Sequence, residues 1–343
     1  MILPTGLPQI THMTKPEMLE VLLHEEYGYL PAMPRSVSAE VVETNNKFCA
    51  GKAPLKSLRV TCETEQGSFA FPVSYVCPRR VEGPVPCIIL LNFRDLVPDQ
   101  YLPSEELVDE GVAVLSFCYK DVTSDDGDFS SGLAGVIYPD GRTEPTQCGK
   151  IGLWAWAAMR VMDIAQTLPE LDHARIGVVG HSRLGKTALL TGALDERFAC
   201  AFSNDSGCSG AALSRGKHER AETIRHIYDR FPYWFCENYA KYVDHEDDAP
   251  FDQHMLIAAN APHRVYAASA VEDLWADPVN EYLGCVAASP FYEAQGMVGF
   301  VHPDREPQVG DVFQDGNIGY HLRAGVHYLS REDWRHYLDF LKK

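Results

Sequence analysis

The middle of the chain repeatedly alternates short, continuous apolar runs with stretches of helical character. The apolar runs are CIILLNF (87–93), VAVLSFCY (112–119), RIGVVGHS (175–182), CAFSNDSG (200–207) and RVYAASA (264–270). A strand that is apolar on both faces must be covered on both faces, and helices between such strands provide that cover. The alternation therefore predicts an α/β protein with a mostly parallel central sheet flanked by helices.

The first eighty residues follow a different pattern. Residues 14–28 have amphipathic helical character. Residues 55–63 and 68–78 show rough alternation of apolar and polar side chains, which is typical of strands with one face in the core. We therefore predict an N-terminal helix followed by antiparallel strands that begin the sheet.

Two further stretches are predicted to be buried helices, residues 150–168 and 183–195. Residues 209–262 are polar, aromatic and irregular, and we interpret them as an insertion over the active site. The chain contains no linker and no internal repeat. We therefore predict that residues 1–343 form a single domain, as α/β enzymes of this length often do.

The charge balance excludes some classes of partner. The chain has 30 basic and 48 acidic residues, and 30 − 48 gives a formal charge of −18. Such a surface repels nucleic acid and anionic membranes, so neither is a predicted partner. No apolar stretch reaches the ~18 residues that a membrane helix needs. The N-terminus lacks a basic segment followed by an apolar run, which favours a cytoplasmic protein unless a leader has been removed.

The ten cysteines favour buried free thiols. They form no CxxC pair, and several lie in apolar runs such as CIILL. This pattern is not typical of a zinc site or of a disulfide framework. We therefore predict no metal and no cofactor, and the oligomeric state stays open.

The segment Gly180-His181-Ser182-Arg183-Leu184-Gly185-Lys186 joins an apolar strand to a helix. A serine on such a turn projects its hydroxyl above the sheet, and glycines nearby let the turn approach its neighbours closely. The helix N-terminus offers N–H groups to a developing oxyanion. The second glycine comes one place later than in the common GxSxG pattern. Ser182 is the predicted nucleophile.

A serine nucleophile needs a base, which follows it in the chain order of α/β hydrolases. His327 lies in the loop RAGVH, after the last apolar segment and before a closing helix. His321 lies within the strand pattern and is predicted to be structural, and His336 is predicted to lie on the solvated face of the final helix. Because catalytic groups sit on loops held by a rigid scaffold, we predict His327 as the base.

Two carboxylates compete to orient His327. Asp273 follows the strand RVYAASA, which is the usual topological place for the acid, and Asp205 follows the earlier strand CAFSN. Either could accept a hydrogen bond from the imidazole, and either could be a turn or capping aspartate. Asp277 precedes Pro278 and is predicted to be a helix N-cap with proline in the first turn.

Several segments resemble the glucuronoyl esterases of carbohydrate esterase family 15, especially the bacterial branch. They are GHSRLGKTALL, SNDSGCSGAALSR, ERAETI, FPYWFCENYAKY, AASAVEDLWADP and GNIGYHLRAGVHYL, and together they cover most of residues 150–340. The Ser-Arg-x-Gly-Lys pattern is unusual among hydrolases, which makes the resemblance specific. It implies an α/β-hydrolase fold and cleavage of the ester between a 4-O-methylglucuronate on xylan and a lignin alcohol.

The resemblance also implies roles for the catalytic residues. Ser182 and His327 align with the family's nucleophile and base, and Arg183 is similar to the arginine that stabilises the oxyanion. The family's acid follows either of two strands, and this chain has a carboxylate after both. Asp205 stands where many members carry the longer glutamate, so we rank Asp273 first and keep Asp205 as an alternative or auxiliary acid.

Three other residues are similar to the family's sugar-binding groups. Lys186 resembles the lysine that binds sugar hydroxyls, Glu222 a glutamate that contacts them, and Trp275 the tryptophan that packs on the sugar. Without the resemblance, Trp275 fits core packing and Glu222 fits the surface. Arg183 and Lys186 lie three apart on nearly one helix face, where they would supply the local positive charge that an acidic surface otherwise lacks.

The predicted function is therefore that of a serine carboxylic ester hydrolase that acts on a small carbohydrate ester of a glucuronate-type acid. One alternative is an acetyl esterase that acts on xylan sugars, which would share the triad without needing Lys186 and Trp275. Another is a non-catalytic carbohydrate-binding relative, against which the presence of a serine, a histidine and two acids argues.

Overall fold

A computed structural model of the chain describes residues 2–79 and 81–343. Its strands are β1 (Ser36–Asn45), β2 (Leu55–Glu63), β3 (Ser68–Val76), β4 (Val85–Asn92), β5 (Ala113–Cys118), β6 (Leu171–His181), β7 (Cys200–Asn204), β8 (Arg264–Ala270), β9 (Val312–Phe313) and β10 (Ile318–Arg323).

The α-helices lie between and after these strands. They are α1 (Lys15–Leu22), α2 (Ser104–Asp109), α3 (Tyr119–Val122), α4 (Gly132–Ile137), α5 (Lys150–Ala165), α6 (Arg183–Leu194), α7 (Ile224–Arg230), α8 (His254–Ala258), α9 (Pro278–Ala294) and α10 (Arg331–Leu341). Within the described ranges, none of them combines the length and apolarity needed to cross a membrane.

The strands form one sheet in the order β1-β2-β3-β5-β4-β6-β7-β8-β10-β9. The pairings of β1 with β2, β2 with β3 and β3 with β5 are antiparallel. From β5 to β10 the successive pairings are parallel, and β9 adds a short antiparallel edge. The predicted parallel centre and antiparallel start are both confirmed.

The central strands are covered on both faces, as their continuous apolar runs require. On β4, Ile89 and Leu91 face one apolar cluster, while Ile88 and Leu90 face another on the opposite side of the sheet. Helix α5 belongs to the first cluster and is buried along almost its whole length. Helix α10 packs into the second cluster, so the sheet lies between two layers of helices.

Some elements were not predicted from the sequence. Strand β1 was not predicted, although Val37, Ala39 and Val41 stand at alternate positions, and it exposes nearly all of its side chains. It is a strand because its backbone pairs with β2 along its length. Strand β9 has only two residues, too few for a periodic signal. The predicted N-cap at Asp277 is confirmed, since its side chain accepts the N–H of Asn280 at the start of α9.

The turn between β6 and α6 carries Ser182 and is tightly packed. Ser182 has φ 58° and ψ −127°, a strained conformation for a residue with a side chain. A Cβ added to Gly180 would lie 1.9 Å from the carbonyl oxygen of Leu184, so glycine alone fits there. A Cβ at Gly185 would come within 3.0 Å of the Cβ of Ser206, so this second glycine lets α6 approach the loop after β7.

We predict that Gly180→Ala destabilises the protein by at least about 1–3 kcal/mol, because the added methyl group overlaps a backbone oxygen that can move only with α6. The matched control is Gly127→Ala, where an added Cβ meets nothing within 4 Å. That variant should stay within about 1 kcal/mol of the parent. Urea denaturation measures both, and equal stabilities of the two variants would contradict the packing described for the turn.

Candidate active site

An open cleft of about 320 Å³ lies above the β6–α6 turn. Its walls come from the carboxyl ends of parallel strands and from the segment between β7 and β8. All eight residues singled out from the sequence line it, namely Ser182, Arg183, Lys186, Asp205, Glu222, Asp273, Trp275 and His327. We refer to it as the Ser182 cleft. It brings together side chains that are as far apart as 145 positions in the sequence, since 327 − 182 = 145.

Ser182 is held at the entrance of α6 by its own backbone. Its N–H donates to the carbonyl oxygen of Asn204 at 2.8 Å, and its carbonyl oxygen accepts from Gly185 at 2.8 Å. The first N–H groups of a helix have no carbonyl partner within the helix. The N–H of Arg183 and the positive end of the α6 dipole are therefore available beside the serine hydroxyl for negative charge.

His327 and Asp273 are joined by a hydrogen bond in the Ser182 cleft. The imidazole Nδ1 lies 2.5 Å from a carboxylate oxygen of Asp273. Asp273 is buried just after β8, while the His327 side chain is 43% exposed on the loop after β10. When Nδ1 donates to a carboxylate, Nε2 carries the lone pair and can accept a proton. This is the geometry expected of an acid that orients a general base.

Asp205 lies close to that pair without bonding to the imidazole. Its Oδ1 accepts the N–H of Ala270 at 2.8 Å, and its Oδ2 accepts the N–H of Tyr328 at 3.3 Å. In the described ranges no hydrogen bond joins Asp205 to His327. Burial raises the pKa of Asp205 well above its usual range, the charge of Glu281 adds to this, and Arg323 opposes it. Asp205 therefore ties β8 to the loop that carries His327.

Arg323 fixes the same loop and was not predicted from the sequence. Its guanidinium donates to the carbonyl oxygens of Ala324 at 3.0 Å and Val326 at 3.2 Å, and also to that of Tyr328. Its Nε bonds both oxygens of the buried Asp333 at 2.9 and 3.0 Å. One buried arginine thus holds the backbone on both sides of His327. The one sequence feature that could have indicated it is the position of an arginine at the end of the last apolar strand.

The other two histidines near the C-terminus are accounted for by packing. His321 is buried and bonds Asp333 at 2.8 Å, which agrees with the predicted structural role. His336 is half-buried, with its ring centroid 4.5 Å from that of His321. The predicted solvated position of His336 is therefore wrong, because α10 lies so close to the sheet that this side chain is pressed against β10.

His181 is a second residue that the sequence analysis missed. Its ring centroid lies 4.4 Å from that of His327, and its Nδ1 donates to the side-chain oxygen of Asn204 at 2.6 Å. Burial lowers the pKa of His181 to about 3, and the neighbouring His327 contributes to the shift. His181 is therefore neutral near pH 7 and places no positive charge against His327.

Arg183 extends from the first turn of α6 into a cage of aromatic rings. Its guanidinium carbon lies 4.7 Å from the ring centroid of Trp234 and 5.8 Å from that of Phe93. Its Nη1 forms an ion pair with Asp125, and the side chain is 24% exposed. Arginine stacked on rings and paired at one edge keeps a fixed orientation. A fixed positive charge therefore stands beside Ser182 in the cleft.

Lys186, Glu222 and Trp275 form a second group of side chains in the cleft. Lys186 is buried, and its ammonium donates to the carbonyl oxygens of Ser206 and Cys208, the latter at 2.6 Å. Burial lowers the pKa of Lys186, and the nearby charge of Glu222 opposes that shift. Glu222 lies 3.9 Å from the ammonium and accepts the indole N–H of Trp275 at 3.1 Å.

The burial of this group differs from what the residue types alone favoured. Glu222 is 8% exposed rather than on the surface, whereas Trp275 is 38% exposed rather than in the core. The backbone N–H of Glu222 also donates to the carbonyl oxygen of Trp275 at 2.9 Å. The buried carboxylate of Glu222 holds the exposed indole of Trp275 in place. The indole therefore presents a flat apolar face next to polar groups, which suits a sugar ring.

The floor of the cleft rests on a buried carboxylate, Glu281 of α9. It accepts from the hydroxyl of Ser269 at 2.5 Å, from the N–H of Gly207 at 2.9 Å and from the hydroxyl of Ser206 at 3.2 Å. Burial raises the pKa of Glu281 to about 7. This residue joins the loop after β7 to β8, and so it fixes the two segments that carry Asp205 and Asp273.

The donor set of the site fits proton transfer better than metal binding. Among the described residues, Asp205, Asp273 and His327 form a group whose ligand atoms lie within 4.8 Å of one another. Asp205 is already bonded to two backbone N–H groups, and Nδ1 of His327 donates to Asp273. To bind a metal with the geometry that such ions require, these side chains would have to give up those hydrogen bonds.

Comparison with known proteins places this site in a family. Residues 60–296, more than half of the chain, match the family described as glucuronyl esterase, fungi. The solved glucuronoyl esterase from Solibacter usitatus is 31% identical, with a TM-score of 0.89 over 100% of this chain and 97% of that chain. The predicted α/β-hydrolase fold and the resemblance to glucuronoyl esterases are therefore both confirmed.

Two curated relatives point the same way. A carbohydrate esterase, MZ0003, from an unknown prokaryotic organism is 41% identical over 238 residues, which are 69% of this chain and 54% of that protein. A 4-O-methyl-glucuronoyl methylesterase of Podospora anserina is 29% identical over 291 residues, 82% of this chain and 56% of that protein. The chain thus spans about half the length of these curated relatives. On the family match and the shared fold, the chain belongs to the glucuronoyl esterase family.

Proposed function

We propose that this protein is a serine carboxylic ester hydrolase that cleaves esters of a glucuronate-type sugar acid. The observation that carries the proposal is that one cleft contains both a set of candidate catalytic side chains and a set of side chains suited to binding a sugar. Ser182 lies there with the His327–Asp273 pair, and Lys186 and Trp275 line the same cleft. The first group supports acyl transfer, and the second supports recognition of a sugar ring on the acyl side.

In the proposed mechanism, His327 takes the proton of the Ser182 hydroxyl at Nε2, while Asp273 stabilises the resulting imidazolium. The serine oxygen attacks the ester carbonyl carbon. The negative charge on the carbonyl oxygen is stabilised by Arg183 and by N–H groups at the start of α6. His327 then gives its proton to the leaving alcohol, and an acyl-enzyme on Ser182 remains. Water, deprotonated by His327, hydrolyses it and releases the acid.

The surroundings of His327 support its role as a base. The imidazolium that forms during the reaction has Asp273 on one side and the neutral ring of His181 on the other. A second cation at that distance would disfavour protonation of His327. Because burial keeps the pKa of His181 at about 3, this repulsion is absent at the pH where such a base works.

The second group of side chains favours a uronosyl ester over an acetyl ester. An acetyl group has neither hydroxyls nor a ring face, whereas a sugar ring on the acyl side offers hydroxyls to Lys186 and Glu222 and a face to Trp275. Binding energy from such remote contacts raises the rate only when the acyl group is large enough to use them.

The direct test compares hydrolysis of benzyl glucuronate with hydrolysis of acetylated xylose sugars under the same conditions. We expect the glucuronate ester to have the higher kcat/KM. A higher kcat/KM for the acetylated sugars would favour the acetyl esterase alternative. Absence of hydrolysis of both substrates by the folded protein would favour a non-catalytic carbohydrate-binding relative.

We predict that Ser182→Ala lowers kcat on the order of 10⁶-fold, because it removes the nucleophile. A steady-state assay on benzyl glucuronate measures this. Ser130→Ala, at an exposed loop serine outside the cleft, is the control and should leave kcat unchanged. Retention of a tenth of the parent activity by Ser182→Ala would contradict the assignment.

The two candidate acids are predicted to differ strongly. Asp273→Asn should lower kcat/KM by roughly 10³–10⁴-fold, because an amide favours the wrong tautomer of His327. Asp205→Asn should cost much less activity, because Asp205 bonds backbone N–H groups rather than the imidazole.

Measurement of kcat/KM for both variants, with thermal unfolding to check that each is folded, decides between the acids. A severe loss in Asp205→Asn together with a mild loss in Asp273→Asn would reverse the assignment.

A further inference from the structure

Asp125, for which no role was predicted from the sequence, accepts hydrogen bonds from a group of donors that includes Arg183. Its Oδ2 accepts from Nη1 of Arg183 and from the hydroxyl of Tyr119 at 2.8 Å, and its Oδ1 accepts the indole N–H of Trp234 at 2.7 Å. Its side chain is only 6% exposed. Three separate parts of the chain thus converge on one buried carboxylate.

The aromatic cage alone leaves the guanidinium free to rotate. The rings of Phe231 and Trp234 are stacked 3.9 Å apart, and both lie within 5.2 Å of the guanidinium carbon. Ring faces attract a cation without selecting which of its N–H groups points where. Within the described ranges, Asp125 is the carboxylate that pairs with Arg183, so this contact selects the rotation of the guanidinium.

The loop that carries Asp125 is itself anchored from below. Lys150, fully buried on α5, donates to the hydroxyls of Thr123 at 2.8 Å and Ser124 at 3.4 Å, and to the carbonyl oxygen of Asp128. The hydroxyl of Tyr233 adds a bond to the backbone carbonyl of Asp125 at 3.0 Å. Asp125 is therefore fixed on both sides and can serve as a rigid reference for Arg183.

We propose that Asp125 is a positioning residue that holds the Arg183 guanidinium toward the oxyanion formed at Ser182, an inference that rests on the proposed function. Asp125 does not touch the reacting atoms. Its negative charge weakens the attraction between Arg183 and the oxyanion, and the fixed orientation outweighs this loss because a preorganised charge needs no rearrangement in the transition state.

The test is a double-mutant cycle between Asp125 and Arg183 with benzyl glucuronate as substrate. Asp125→Asn should lower kcat about tenfold to a hundredfold and leave KM nearly unchanged, because the oxyanion exists only in the transition state. In an Arg183→Ala background, the same Asp125→Asn change should alter kcat by less than about twofold, since there is no guanidinium left to orient.

A matched control is Asp163→Asn, because Asp163 is also a carboxylate paired with arginines, Arg160 and Arg197, and does not line the cleft. It should leave kcat unchanged. Equal losses of kcat from Asp125→Asn with and without Arg183, or a loss confined to KM, would overturn the proposal. A parent protein that hydrolyses neither glucuronate nor acetyl esters would instead refute the proposed function.

A second variant keeps the test decisive if Asp125→Asn does not fold. Tyr119→Phe removes one hydroxyl that bonds Asp125 and leaves the ion pair with Arg183 in place. It should lower kcat by a smaller factor, about threefold, and this effect should also vanish in the Arg183→Ala background. An unchanged kcat in Tyr119→Phe, or an effect that persists without Arg183, would count against Asp125 as the positioning residue.

Discussion

The site depends on one close contact, in which the backbone of β6 passes the first turn of α6 at Gly180. Because Gly180 has no side chain, its backbone can lie against the carbonyl oxygen of Leu184. The sharp turn between them includes Ser182, whose φ is positive. The strain is balanced by the packing of the buried strand and helix on either side. This contact places the serine hydroxyl, the helix N-terminus and Arg183 at the same edge of the sheet.

A second constraint comes from buried charge. Asp205, Arg323 and Asp333 are each at most 4% exposed, and they bond backbone groups and one another around the loop that carries His327. Buried ions need several good partners, and removing one leaves the others unpaired. The loop that carries His327 is thus held by a rigid polar network, while the imidazole itself is 43% exposed in the cleft. Asp205 and Arg323 therefore hold the backbone of the loop that carries His327 and do not bond its imidazole.

Much of the fold was predictable because the central strands are apolar on both faces and alternate with helices. The sequence also identified eight of the residues that line the Ser182 cleft. The serine turn and the strand ends have recognisable local patterns, whereas Lys186, Glu222 and Trp275 were indicated by the resemblance to glucuronoyl esterases. The edge strand β1 was not predicted, because the alternation of Val37, Ala39 and Val41 is short and most of the strand's side chains are solvated. The roles of Arg323, His181 and Asp125 were not predicted, because their partners are distant in the sequence and no local pattern indicates such contacts. The same reason explains why Glu222 is buried and His336 half-buried.

We propose that Ser182 is an activated nucleophile in a cleft that recognises a uronic acid. Mass-spectrometric peptide mapping after reaction with a fluorophosphonate tests both properties together, because such reagents modify serines activated by a neighbouring base. We expect a single modification on Ser182, at a rate that added glucuronate slows and added acetate does not. Modification of a different serine, no modification of the folded protein, or a rate at Ser182 that glucuronate leaves unchanged would contradict it.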